Sequence, residues 1–103
     1  MNIQSMENSV YAASEMLKAL ANERRLMVLC QLTDGEKSVG ELTRLAGLAQ
    51  PAMSQHLARL RRDGLVGTRR EGQTVWYSLL SDEAGKVIEL LYDLYCGPGK
   101  GRS

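Results

Sequence analysis

Three side chains of this 103-residue sequence are of chemically reactive types: the cysteines Cys30 and Cys96, and the single histidine, His56. A thiol acts as a nucleophile, a redox group or a metal ligand, and an imidazole acts as a base or a metal ligand. Cys30 lies on an apolar helical face, where a cysteine usually packs in the core. Cys96 directly precedes Gly97-Pro98, a position that favours an accessible thiol. We interpret His56 as a packing or hydrogen-bonding residue.

A second chemical signal is a local excess of arginine. The stretch from Gln50 to Leu80 has a balance of +3 in a chain whose net charge is +1, so the remaining residues are slightly acidic. A concentrated basic stretch on a nearly neutral protein indicates a positioned site for a polyanion. The arginines that produce the excess are Arg59, Arg61, Arg62, Arg69 and Arg70.

Length and composition limit the classes of protein that fit. A chain of 103 residues accommodates one domain, with 44% apolar and 24% charged residues, which excludes a two-domain enzyme and a disordered chain. No apolar run is long enough to span a membrane, and residues 1–9 carry no secretory signal, so we expect a cytoplasmic protein. The core is small and lacks phenylalanine, which favours an obligate homodimer.

Capping residues and apolar periodicity predict four helices, a β-hairpin and a last helix. Ser38 and Glu41 form a capping-box pattern before a short helix that ends at Gly47. The predicted elements are helices at Val10–Leu20, Asn22–Thr33, Ser38–Ala46 and Gln50–Asp63, a hairpin at Val66–Leu79 that turns at Glu71-Gly72-Gln73, and a helix from Ser81 or Asp82 to Cys96. This order, mainly α with a small hairpin, is that of a winged helix-turn-helix. We expect residues 1–96 to form this single domain and residues 97–103 to form a flexible tail.

The fourth helix has two contrasting faces. Met53, Leu57 and Leu60 recur at helical spacing and must face the core, so the opposite face is exposed. Glutamine and arginine make bidentate contacts with base edges in the major groove of DNA, and basic hairpin residues reach phosphates. We therefore predict a DNA-binding surface. Its residues are Gln50, Ser54, Gln55 and Arg59 on the helix, with Arg69, Arg70 and Gln73 at the hairpin tip.

From about Leu17 to Cys96 the sequence resembles the ArsR/SmtB family of winged-helix repressors. The matching segments are Leu17–Leu26, Ser38–Leu42, Ser54–Arg61 and Val75–Leu79. The resemblance implies a homodimer joined by its first and last helices, which places the helix Gln50–Asp63 in the major groove of a palindromic operator. It carries the family's DNA-contacting positions over to Gln50, Ser54 and Gln55, and its wing contacts to the basic hairpin tip.

Many members of that family sense metals, but their ligand motifs are missing from this sequence. The Cys-x-Cys box would fall around Val39–Leu42, which has no cysteine, and the histidine motifs would fall within Asp82–Tyr95, which has no histidine. A tetrahedral site needs three or four nitrogen or sulfur ligands, which Cys30, Cys96 and His56 do not supply at their positions. We expect no metal and no cofactor.

The cysteine pair resembles that of the BigR, SqrR and HlyU group of sulfane-sulfur and oxidant sensors. That resemblance implies a disulfide or polysulfide bridge between Cys30 and Cys96 that lowers affinity for DNA, and it leaves the number of bridging sulfurs open. A metal-responsive repressor of the same family is the alternative. A small thiol redox or sulfur-transfer enzyme is a third, disfavoured because the sequence supplies neither a base for the thiol nor a Cys-x-x-Cys motif, and leaves little room for a substrate pocket.

Overall fold

Capping side chains define the ends of the helices. The computed structural model describes residues 1–97, so the predicted tail lies outside the described residues except for Gly97. Asn22 accepts hydrogen bonds from the backbone N–H groups of Arg24 and Arg25, and Gly47 ends the third helix with φ of 67°. The helices are α1 (Ile3–Leu20), α2 (Glu23–Leu32), α3 (Val39–Ala46), α4 (Gln50–Arg62) and α5 (Asp82–Cys96).

The predicted capping box at the start of α3 is confirmed. The Ser38 hydroxyl accepts from the Glu41 backbone N–H at 3.1 Å, and the Glu41 carboxylate accepts from the Ser38 backbone N–H at 2.9 Å. Two N–H groups that helix formation would leave without partners are thereby satisfied.

Three antiparallel strands form the sheet: β1 (Lys37–Ser38), β2 (Val66–Glu71) and β3 (Thr74–Leu79), in the order β1-β3-β2. The hairpin of β2 and β3 is the wing, and Gly72 supplies the positive φ that its turn requires. The sequence predicted only this hairpin. Strand β1 was not predicted, because two residues are too few to show the alternation of apolar and polar side chains that identifies a strand.

Helices α2 and α4 contribute most to the hydrophobic core, and α1, α3, α5 and the base of the wing complete it. Met53, Leu57 and Leu60 are fully buried, which confirms the predicted inward face of α4. Cys30, Tyr77 and Leu79 are partly buried and pack against this core. Packing therefore fixes the inward face of α4, and the opposite face is exposed to solvent.

Helices α1 and α5 keep much of their apolar surface exposed. On these helices, which the sequence predicts to form the dimer interface, Leu20 belongs to the core, whereas Val10, Leu17 and Leu94 are about half exposed. Further exposed apolar side chains on the two helices are Ile3, Met6, Tyr11, Leu90, Tyr92 and Tyr95. Within residues 1–97, no helix combines the length and apolarity needed to cross a bilayer.

Candidate nucleic-acid interface and thiol pair

The first turns of α4 present a polar face. Gln50, Ser54 and Gln55 are all exposed, because Met53 and the leucines that follow take the opposite side of the helix into the core. Pro51 occupies the start of α4, where the missing N–H costs no intrahelical hydrogen bond. The three predicted side chains thus lie together on one accessible helical surface.

Arg59 is not the free outward cation that the sequence predicted. Its Nε donates to the Asp63 Oδ2 at 2.7 Å, and the side chains of Arg59 and Asp63 are only 30% and 21% exposed. Spacing of four residues brings these groups together on a helix. The Arg59 guanidinium near the end of α4 is therefore engaged in an intramolecular ion pair.

The accessible cations of α4 are Arg61 and Arg62. Both are exposed, and together with Ser54, Ala58 and the Tyr77 side chain from β3 they line an open cleft of about 450 Å³. Arg61, Arg62 and Tyr77 are not among the DNA-contacting residues that the sequence predicts. Helical spacing relates the two arginines to Ser54, whereas the approach of Tyr77 to this cleft depends on tertiary structure and is not visible in the sequence.

The wing carries its three predicted residues in two different states. Arg70 and Gln73 are exposed near the turn. Arg69 is also exposed but binds Glu36, with its Nε 2.9 Å from Oε2 and its Nη2 donating to Oε1. Its guanidinium also lies 5.5 Å from the centre of the Trp76 ring. The hydrogen bonds from Arg69 hold the pKa of the Glu36 carboxyl below its usual value.

Two arginines at the start of α2 bind the ends of neighbouring helices. The Arg25 Nε donates to the Ala19 carbonyl at 2.7 Å, near the end of α1, and the Arg24 Nη1 donates to the Ala46 carbonyl at 3.0 Å, at the end of α3. Helix ends leave carbonyls without intrahelical partners, which makes them good acceptors for cations. Burial, with Arg25 and then Arg24, lowers the pKa of His56 on α4.

The two thiols lie on different helices and in different environments. Cys30, near the end of α2, is half-buried, whereas Cys96, the last residue of α5, is exposed, and both are free thiols. Burial raises the pKa of the Cys30 thiol, and the charge of a Cys96 thiolate raises it further. The fold therefore gives the chain one shielded thiol on α2 and one accessible thiol at the end of α5.

The described residues offer no grouped set of metal ligands. Among residues 1–97, no three His, Cys, Asp or Glu side chains are grouped as a metal ion would require. In the described part of the chain, Cys30 and Cys96 therefore have no third side chain beside them with which to bind a metal ion.

Known proteins resemble this chain over most of its length. A profile described as "Bacterial regulatory protein, arsR family" matches residues 22–68. The transcriptional activator HlyU of Vibrio cholerae is 59% identical over 93% of this chain and 89% of its own length. The solved structure of reduced HlyU from that organism superimposes with a TM-score of 0.85, covering 90% of this chain and 98% of that one.

Two more distant solved structures share the fold. The transcriptional repressor BigR from Xylella fastidiosa is 38% identical, with a TM-score of 0.88, over 93% of this chain and 98% of BigR. A homodimeric winged helix-turn-helix DNA-binding domain from Mycobacterium bovis is 29% identical, with a TM-score of 0.76, over 86% and 83% of the two chains. None of these relatives is named as an enzyme.

The contrast between the two thiols predicts an order of reaction. In the reduced, folded protein, iodoacetamide should alkylate Cys96 at least about tenfold faster than Cys30, since the thiolate is the reactive form and Cys30 is shielded. Mass spectrometry of peptides sampled over time measures both rates. In urea the two rates should converge, and equal rates in the folded protein would show that Cys30 is not protected.

Proposed function

Because the chain belongs to the ArsR family of bacterial regulatory proteins, we propose that it is a homodimeric repressor that leaves a palindromic operator when Cys30 and Cys96 become bridged. The chain is a transcriptional regulator rather than an enzyme. The observation that carries the sensing proposal is the pair of free thiols on two different helices, with Cys30 half-buried on α2 and Cys96 exposed at the end of α5. A regulator of this kind acts on the chromosome, so we assign it to the cytoplasm.

The proposed reading surface is the exposed face at the start of α4. Gln50, Ser54 and Gln55 offer donors and acceptors for base edges, and Gln55 suits a bidentate contact with adenine. On the wing, Arg70 and Gln73 are exposed and suit phosphate contacts, which add affinity without sequence preference. Arg59 and Arg69 are bound to carboxylates of the same chain, so we assign them no direct contact.

Gln55→Ala tests the reading surface. On an operator duplex selected from a random-sequence pool, we expect a loss of about 1–3 kcal/mol in binding free energy, and a much smaller loss on unselected DNA. Arg70→Ala should weaken both complexes alike and reduce the salt dependence. Lys86→Ala removes the same charge from an exposed position on α5, away from the wing, and serves as the control for Arg70→Ala. Fluorescence anisotropy measures all of these affinities, and equal losses on both DNAs for Gln55→Ala would exclude it from the reading surface.

A homodimer is proposed because the apolar faces of α1 and α5 need a cover. Surface of this kind, contributed by both terminal helices of a small chain, suits an interface between identical subunits. The M. bovis relative is a homodimer with this fold. A two-fold pairing also presents two copies of α4 to the two halves of a palindrome.

Substitution on the terminal helices tests this interface. Leu17→Asp and Leu94→Asp should each shift the protein from dimer to monomer at micromolar concentration, because each buries a charge in an apolar contact. Leu45→Asp is the matched control, since Leu45 on α3 is 50% exposed and Leu94 is 52% exposed. Sedimentation velocity distinguishes the species. A wild type that is a stable folded monomer at the same concentration would overturn the proposal.

The proposed switch begins at the exposed thiol. The Cys96 thiolate attacks the terminal sulfur of an organic persulfide, RSSH, which forms Cys96–S–SH and releases RS⁻. The Cys30 thiolate then attacks the Cys96 sulfur, which closes a disulfide and releases HS⁻. The two thiols lose two electrons, and the sulfane sulfur leaves as sulfide. A peroxide reaches the same disulfide through a sulfenic acid on Cys96, with loss of water.

A bridge would reach the DNA-binding elements through α2. It fixes α5 against the end of α2, while the other end of α2 binds α1 through Arg25 and α3 through Arg24. Helix α2 therefore connects the proposed interface helices, α1 and α5, to the helix-turn-helix. Displacement of α5 changes the spacing of the two α4 helices in a symmetric dimer.

Serine substitutions test the switch. Cys30→Ser and Cys96→Ser should each abolish the response to glutathione persulfide, because a bridge needs both sulfurs, and should leave the affinity of the reduced protein for DNA unchanged. In the wild type we expect persulfide to lower operator affinity by about 5- to 150-fold, the usual range of allosteric coupling.

Mass spectrometry of each treated protein identifies the modification that accompanies the loss of affinity. Release of the double serine variant from DNA by persulfide would exclude the two-cysteine switch. Release of the wild type by stoichiometric zinc would favour a metal-responsive repressor, and catalytic turnover of persulfide would favour a sulfur-transfer enzyme.

A further inference from the structure

Glu36, Arg69 and Trp76 form a cluster that spans all three strands on one face of the sheet. Glu36 directly precedes β1, Arg69 lies on β2, and Trp76 is its cross-strand partner on β3. Trp76 also pairs with Ser38 of β1, so it is the central member. Tyr77, the next residue on β3, packs against the core, which places Trp76 on the opposite face.

The contacts of this cluster, which we call the wing clamp, are directional. Arg69 makes two parallel hydrogen bonds to the Glu36 carboxylate, the fork geometry in which an Arg–carboxylate pair is strongest. Its guanidinium also lies within cation–π range of Trp76, at 5.5 Å from the ring centre. The indole Nε1 is buried and has no hydrogen-bond partner in the described part of the chain, so packing and the cation hold this ring.

The clamp joins the wing to the helix-turn-helix. A two-stranded hairpin is only marginally stable alone, and its direction depends on what it packs against. Glu36 lies next to β1, and β1 runs directly into the capped start of α3. Arg69 thereby connects the middle of the wing to the start of the DNA-binding unit.

The geometry points to Arg69 as a positioning residue that sets the direction of the wing through Glu36 and Trp76, while Arg70 makes the phosphate contact. This inference rests on the proposed placement of the wing against DNA. Arg70 is the next residue along the same strand, exposed and directed to the other face. Adjacent arginines of the same charge therefore have separate tasks.

The salt dependence of binding separates the two tasks. On the selected operator duplex, R70Q should lower the slope of log affinity against log salt by about 0.9, the loss of one phosphate contact. R69Q should weaken binding by about threefold to tenfold with a smaller change of slope than R70Q, because a misdirected wing weakens the Arg70 contact without removing the guanidinium that makes it. E36Q should resemble R69Q, and E36Q/R69Q should bind no more weakly than either single variant.

E71Q is the matched control for E36Q. Glu71 is a second carboxylate near Arg69, at 3.8 Å and more exposed, so E71Q removes the same charge from the wing without opening the clamp. It should leave affinity unchanged or slightly higher. Trp76 is the only tryptophan in the chain, so acrylamide quenching of its fluorescence reports on the clamp in the absence of DNA. E36Q and R69Q should increase quenching, and R70Q and E71Q should not.

The opposite results overturn the inference. If R69Q lowers the salt slope as R70Q does, and E36Q tightens binding beyond E71Q, then Arg69 is a phosphate contact that Glu36 restrains. Unchanged quenching in E36Q and R69Q would show that the clamp does not hold Trp76. If R70Q changes neither affinity nor slope, the wing does not touch DNA; the proposed interface then fails, and the positioning role fails with it, even where quenching detects the clamp.

Discussion

Burial of one face of α4 is the constraint on which the rest of this small protein depends. Met53, Leu57 and Leu60 are fully buried, and they anchor the helix against α2, α3 and the wing. A helix held at three successive positions along one stripe has no freedom to rotate. The same packing that stabilises the fold therefore fixes the orientation of the polar residues on the other side, so one helix sets both the stability of the core and the direction of its exposed face.

Much of this architecture follows from local sequence patterns. The caps at Asn22 and Ser38, the glycine at the end of α3 and the inward face of α4 all depend on residues a few positions apart, and all are confirmed by the structure. Local hydrogen bonds and helical periodicity determine these features, so they are visible in a single sequence. The pairing of Arg59 with Asp63 belongs to the same class, because the four-residue spacing was available to predict it.

The features that escaped prediction depend on contacts distant in sequence. Glu36 and Arg69 are 33 residues apart, and no local pattern indicates that they meet. The strand β1 is too short to produce an alternating pattern and exists because β3 offers it an edge. The position of Cys30 relative to Cys96 likewise depends on how α5 packs, and only the resemblance to known sensors connected the two residues beforehand. The pairing of Arg69 with Glu36, unlike that of Arg59 with Asp63, is therefore a tertiary property.

The capping arrangement at the start of α2 has a mechanical consequence. The first turn of α2 binds the end of α1 and the end of α3, so three helices converge on one point. Helix α1 has 18 residues, which makes it a rod of about 27 Å that extends from this pivot. A displacement of its far end would correspond to a tilt about this point. The geometry is that of a lever, in which α1 is the long arm and the ends of α2 and α3 lie at the pivot.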